Sequence, residues 1–262
     1  MNTRIIELVS NASFDIYPNN TLSAFSNFLA ESIELRGQWE VALAEISYPC
    51  LYNNITEGTF TYVYKRIHSG KQLWDNEKLK LPSGMYNTID EVIEEIDKVS
   101  SKARPKDKMT MTAKVMDLNG LLRLELGKNQ AIVIHSEDLS SVLGIPRDLP
   151  IPFGDPNSHI SKYPVDLTRV HSVMVYSDIV EYDIVGDTKA PLLRTFPFMH
   201  RQSSSSFPTI SSMTFDQLQF RKLSRHNFHS IRIELRMPTG ELIPFKAFAS
   251  TRVVLIFRKI SD

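Results

Sequence analysis

The sequence predicts a mainly β protein, a two-sheet β-sandwich interrupted by a small α+β insert, and three observations predict it. Short apolar runs with period two recur near the start of the chain and again after residue 172, which is the pattern of half-buried strands. A single strong amphipathic helix pattern, Ile89 to Val99, stands between those two groups. The last run, Arg252-Val253-Val254-Leu255-Ile256-Phe257-Arg258, is apolar on both parities, as a central strand covered on both faces would be. Such a strand needs partners from elsewhere in the chain, and 262 residues are enough to build a large core with a second one beside it.

Taken in order, Thr3 to Ser10 and Ser23 to Leu29 read as strands separated by the turn-rich Tyr17-Pro18-Asn19-Asn20. Trp39, Val41 and Leu43 then fall on one face of a strand that runs into a corner at Tyr48-Pro49, and Trp39 is assigned to the core. Glu45 shares the Leu43 parity, which a bulge, an edge position or a paired carboxylate would each accommodate. Phe60, Tyr62 and Tyr64 alternate with Thr61 and Val63 in a further strand of the first core.

Between about Lys65 and Pro150 the pattern changes. Thr88 and Glu91 form a capping box, after which Ile89, Val92, Ile93, Ile96 and Val99 recur at helical spacing until Pro105. Met109, Met111, Ala113 and Val115 alternate up to an Asn119-Gly120 turn, and Leu122, Leu124 and Leu126 alternate back as a hairpin. Ile132 and Ile134 suggest another strand, and Ser136 to Leu143 with Gly144 behind it suggests a short capped helix. The segment Leu149 to Tyr163, with Pro150, Pro152 and Pro156, reads as the linker back to the first core. Strand patterns resume at Val173 and Val175 and at Ile231, Ile233 and Leu235, while Ser203 to Ser206 reads as a loop. The domain boundaries expected from this pass are 1–66 with 158–262 for the sandwich and 67–157 for the insert. Periodicity alone allows either an immunoglobulin-like sandwich or a jelly roll, the form in which first and last strands meet in one sheet.

Composition excludes several classes of function. With 30 basic and 30 acidic residues the formal net charge is zero, so general nucleic-acid binding by the bulk of the chain is not expected. Arg4 and Glu7 flank only Ile5-Ile6, so no secretory apolar region is expected at the start, and no run approaches the roughly 18 apolar residues that span a bilayer. The one cysteine, Cys50, permits neither an intrachain disulfide nor a cysteine zinc site.

Motifs that would carry catalysis are equally sparse. No HxH pair of a cupin metal site occurs; His226 and His229 are three apart, a spacing that does not put two ligands on one side of a strand. Glu181, Asp183 and Asp187 surround Gly186, where a plain turn with solvated acids accounts for them without Ca²⁺. Gly70-Lys71 is followed by Gln72 rather than Ser or Thr, and no GxSxG elbow is present. Neither catalytic residues nor cofactor or metal ligands are therefore assigned. Association surfaces are better candidates: Phe196, Phe198 and Met199 compose either a contact patch or ordinary core at a strand end, and Trp74 either an exposed anchor or a buried pin.

The segments Gly37 to Pro49, Leu51 to Gly58, Pro164 to Thr168, Asp178 to Phe198 and Thr251 to Lys259 resemble the minor capsid (penton) protein family of Polinton/Maverick elements and their virophage relatives. That resemblance spans nearly the whole chain and implies a single jelly roll carrying the α+β insert. It further implies a non-enzymatic penton subunit of a virion, a homopentamer at the vertices of an icosahedral shell whose outer edges meet a double-jelly-roll major capsid protein. A soluble jelly-roll module that recognises a glycan or receptor is the competing expectation; it requires a ring of exposed aromatic and polar loop side chains and no oligomeric ring.

Overall fold

The computed structural model describes residues 3–68, 71–103, 111–116, 118–127, 130–151, 158–199, 210–246 and 249–260. In chain order the elements are β1 (Thr3–Val9), β2 (Ala24–Glu34), β3 (Trp39–Pro49), β4 (Gly58–His68), β5 (Lys71–Leu81), α1 (Ile89–Ala103), β6 (Met111–Val115), β7 (Leu121–Leu126), β8 (Gln130–Ile134) and α2 (Glu137–Leu143). They continue with β9 (Ser158–Pro164), β10 (Ser172–Ser177), β11 (Asp183–Val185), β12 (Thr188–Ala190), β13 (Leu192–Pro197), β14 (Ile210–Thr214), β15 (Arg221–Lys222), β16 (Asn227–Arg236) and β17 (Arg252–Lys259). Two compact units result, Met1–Tyr52 with Val170–Asp262, and Asn53–Arg169.

In the first unit one sheet runs β1-β17-β3-β14, with β15 also on β3, and a second runs β13-β10-β16-β2, all neighbours antiparallel. Leu8, Val41, Leu43, Val253, Leu255 and Phe257 from one sheet and Phe25, Val173, Val175, Ile231, Ile233 and Leu235 from the other fill a common core. Each such side chain contributes about 1.5–3 kcal/mol on burial. The two-parity pattern of β17 follows from its place between β1 and β3: Val253, Leu255 and Phe257 face the core, while Val254 is buried on the opposite face.

Glu45 is accommodated in two of the anticipated ways at once. Val254 pairs with Glu45 but Leu255 pairs with Leu43, so Ala44 is an extra residue in β3 and forms a bulge. Parity flips there, which sends Ile46 and Tyr48 into the core and turns Glu45 out to Arg252 at 3.1 Å.

The second unit has sheets β5-β4-β8 and β6-β7-β9 with α1 and α2. Its core holds Phe60, Tyr62, Leu122, Leu124, Ile132 and Ile134 together with Val92, Ile93 and Ile96 of α1. Thr88 Oγ1 accepts from Glu91 N at 3.2 Å, while the Glu91 carboxylate accepts from Asn87 N at 2.7 Å, one residue ahead of the cap expected. The buried stripe of α1 ends on Ser100, whose hydroxyl donates back to Ile96 O at 2.7 Å, rather than on the half-buried Val99. The β6–β7 connection closes as a wider turn, Met116 N donating to Leu121 O at 2.8 Å, with Gly120 at φ +66°. Pro105, Met109, Pro152, Pro156 and the Ser203 to Ser206 tract lie outside the described residues.

Three elements depart from the sequence expectation. β4, expected in the first core, pairs with β5 and β8 in the second unit, so the aromatic alternation of Phe60, Tyr62 and Tyr64 faces Ile132 and Ile134 instead. Among the described residues β5 pairs only with β4, and most of its side chains there are not buried, so its sequence is largely polar. The stretch read as a linker contains β9, which completes the β7 sheet from Leu121↔Pro164 to Glu125↔Ser158.

Two close fits hold the second unit. Gly144 ends α2 at φ +67°, and a Cβ there would stand 2.0 Å from Tyr163 O. Asp138 is buried: its Oδ2 accepts from Thr56 N at 2.7 Å, from the Thr56 hydroxyl and from Glu57 N at 3.2 Å, and its Oδ1 meets Arg169 Nη2 at 2.8 Å. Gly144→Ala is expected to lower stability by more than about 2 kcal/mol, because strain at positive φ adds to a backbone clash. Asp138→Ala is expected to cost about 3 kcal/mol by removing the buried carboxylate that two amides and the Arg169 guanidinium share; urea unfolding of each variant measures both. Burial pulls the imidazole of His159 on β9 below its ordinary value of 6.5. The unfolded chain therefore takes up that proton first, so the contribution of neutral His159 is complete above pH 6.5 and declines as the pH falls below it. Unfolding midpoints compared between pH 7.5 and pH 5.5 are expected to fall less in His159→Phe than in the parent chain.

Candidate interaction surface

Phe196 and Phe198 are two residues apart, and both turn inward. Phe196 lies 5.8 Å from the Tyr48 ring and Phe198 5.3 Å from it, and Phe198 meets Tyr52 edge-on at 5.3 Å. Burial raises the pKa of the Tyr48 hydroxyl, whose oxygen accepts a hydrogen bond from Met199 N at 3.2 Å. The run is thus divided by strand parity: both phenylalanines belong to the core, and Met199 alone of the three faces solvent. Trp74, on β5, is 53% exposed, and the ammonium of Lys65 from the paired strand sits 5.6 Å from its ring centre. Trp39 packs half-buried against the first core and donates from Nε1 to Arg36 O at 3.1 Å.

The outer faces of the first unit carry paired charges. Arg252 stands between Glu7 at 2.6 Å and Glu45 at 3.1 Å, and its hydrogen bond holds the Glu7 carboxyl below the usual range. Arg258 pairs with Glu40 and lays its guanidinium 3.5 Å from the Phe220 ring centre. On the other sheet burial pushes the Glu234 pKa up, but Arg236 and Arg232, each 2.7 Å away, outweigh it and bring the carboxyl below the usual range. Beside them a cleft of about 440 Å³ is lined by Tyr176, Asp178, Tyr182, Lys189, Arg232 and Arg236, among others. Its arginines are those already paired with Glu234, and Asp178 is paired with Arg225.

The groups weighed for metal chemistry do not converge. His229 stacks edge-on against Phe28 at 5.5 Å, and Asp183 pairs with Arg221 at 3.2 Å. Gly186 at φ +62° is the first position of the two-residue turn joining β11 to β12. Among the described residues no cluster of three or more His, Cys, Asp or Glu side chains could hold an ion.

Exposed apolar side chains gather instead along the two lateral edges of the first unit. Ile5, Phe14, Ile16 and Phe28 belong to the β1–β2 side, and Tyr182, Ile184, Met199 and Ile210 to the side of β13, β14 and the β11–β12 hairpin. None of these but Met199 was singled out by motif reasoning. The available signal was Ile5-Ile6, since two adjacent isoleucines on a strand must put one on each face.

Sequence comparison finds no family and no curated protein that matches the chain. Among solved structures the mavirus penton protein is similar, with an alignment that covers 99% of this chain and 100% of that one at a TM-score of 0.51 and 10% identity. At that identity the likeness is one of fold: the chain has the fold of the mavirus penton protein over essentially its whole length.

Proposed function

We propose that the chain is a structural capsid protein, the minor capsid (penton) subunit that forms the pentameric vertices of an icosahedral shell. The observation that carries this reading is the fold shared with a viral penton protein across the whole of both chains. A likeness limited to the first unit would point only to a common sandwich. One that also includes Asn53–Arg169 points to the same composite protein.

Strand order supports the jelly-roll part of the reading. Numbered first to eighth along the chain, β1, β2, β3, β10, β13, β14, β16 and β17 fall into one sheet ordered 1-8-3-6 and another ordered 5-4-7-2. First and last strands are neighbours, and each sheet alternates strands from both halves of the chain, as two Greek keys folded into a jelly roll require. On this reading the α+β part is an insertion between the third and fourth of these strands, spanning Asn53–Arg169 rather than 67–157. The protein acts in the virion through contacts and shape, with no catalytic residues assigned. Its partners are further copies of itself and a double-jelly-roll major capsid protein, and Met199 and Trp74 are available for such contacts because both are more than half exposed.

A ring requires a heterologous interface, one side of each subunit meeting the opposite side of the next. Light scattering on purified chain, over a range of protein and salt concentrations, is expected to give a species near 150 kDa, five copies of the 29.9 kDa chain. A chain that stays monomeric both alone and when mixed with the major capsid protein overturns the reading.

A further inference from the structure

Among the described residues no strand pairs with the outer side of β1 or of β14, the two lateral edges of the β1-β17-β3-β14 sheet, and the hydrogen-bonding groups there can be counted. Ser10 N donates to Thr251 O at 2.9 Å, so Leu8, Ile6 and Arg4, of the same parity, direct their backbone groups toward β17. Val9, Glu7, Ile5 and Thr3 direct theirs outward. The Asn27 side chain occupies the outward groups of Val9, accepting from its N–H at 2.9 Å and donating to its carbonyl at 3.0 Å. Among the described residues no strand pairs with the rest of that edge.

The opposite edge has the same property. Phe215 N donates to Ala44 O at 2.9 Å, so Met213 and Ser211 face β3, and Ile210, Ser212 and Thr214 turn their amides and carbonyls outward. Several of the devices that normally disarm an exposed edge are missing from β1. It pairs with β17 through seven consecutive residues without a bulge, contains neither proline nor lysine, and leaves Ile5 67% exposed. Its two charged side chains are already engaged, Arg4 with Glu31 and Glu7 with Arg252.

We infer that β1 of one copy pairs with β14 of the next, so that this sheet runs on across the boundary between subunits. The inference rests on the ring reading above and names the surfaces that make the ring. Direction permits it: β1, β17, β3 and β14 alternate, so β14 is antiparallel to β1. A copy rotated about an axis along the strands therefore presents β14 antiparallel to its neighbour's β1, three outward residues against three. The β14 side also carries a cation. Arg194, beside the end of β14, stacks 3.8 Å from the Phe215 ring centre and donates to Gln217 O at 2.8 Å, while its Nε is buried without a partner. Among the described residues no carboxylate pairs with Arg194. Burial pulls the Arg194 guanidinium below its ordinary value.

The test is disulfide capture. Ile5→Cys is combined in turn with Ile210→Cys, Ser212→Cys and Thr214→Cys, since only residues directly opposite across a strand pair bring their Cβ atoms close enough to bond. Oxidation of the assembled species, formed alone or with the major capsid protein, is expected to give a covalent ladder up to five chains for at least one pair. The single variants, which keep Cys50, are expected to give none. Ile5→Lys is expected to reduce the native mass from five copies to one with an unchanged far-UV spectrum, because that side chain makes little contact within its own subunit. A five-copy species that no pair captures and that Ile5→Lys leaves intact overturns the edge assignment while the ring stands. A parent chain that never assembles overturns both.

Discussion

The pairing of β17 between β1 and β3 is the constraint on which the first unit depends. Residues 252–259 meet residues 3–9 on one side and 39–47 on the other, so β1 joins the sheet only through a strand about 250 residues away. Once that strand is in place, Val253, Leu255 and Phe257 form the floor against which Ile231, Ile233 and Leu235 of the second sheet pack. Contacts of such long sequence separation carry a large loop-closure cost, and the apolar character of β17 on both parities offsets it by burying two faces at once.

The bulge at Ala44 converts this pairing into a usable surface. Without it Glu45 would point into the core and Ile46 and Tyr48 out of it; with it the chain changes face once and then continues in register. Tyr48 then collects Phe196, Phe198 and Phe245 into an aromatic cluster where β3 ends. Glu45, turned outward, joins Arg252 and Glu7 into a charge-paired row that runs across three strands.

The second unit is organised differently. Its helix α1 is specified locally, by a cap and an amphipathic stripe, but its ends are tied together by polar groups far apart in sequence. Asp138 gathers Thr56, Glu57 and Arg169, and Asn54 bridges Tyr86 and Leu167, so both ends of the segment Asn53–Arg169 are fastened to its interior. A segment closed in this way can be accommodated within another fold, because its termini are brought to defined places by its own bonds.

How much of this was legible in the sequence follows from the range of the forces involved. Residue pattern alone determined the strands with clear alternation, the helix at Ile89, the glycine-terminated α2 and the double-sided β17, since each depends on neighbours within a few residues. It also indicated that something unusual happens at Glu45. Tertiary structure decided which core received β4, whether the polar β5 and the proline-flanked β9 became strands, and that Phe196 and Phe198 turn inward while Met199 does not. The open edges belong to the same class. A residue's parity can be read from its neighbours, but whether its backbone groups find a partner depends on strands more than 200 residues away, and no local pattern encodes that.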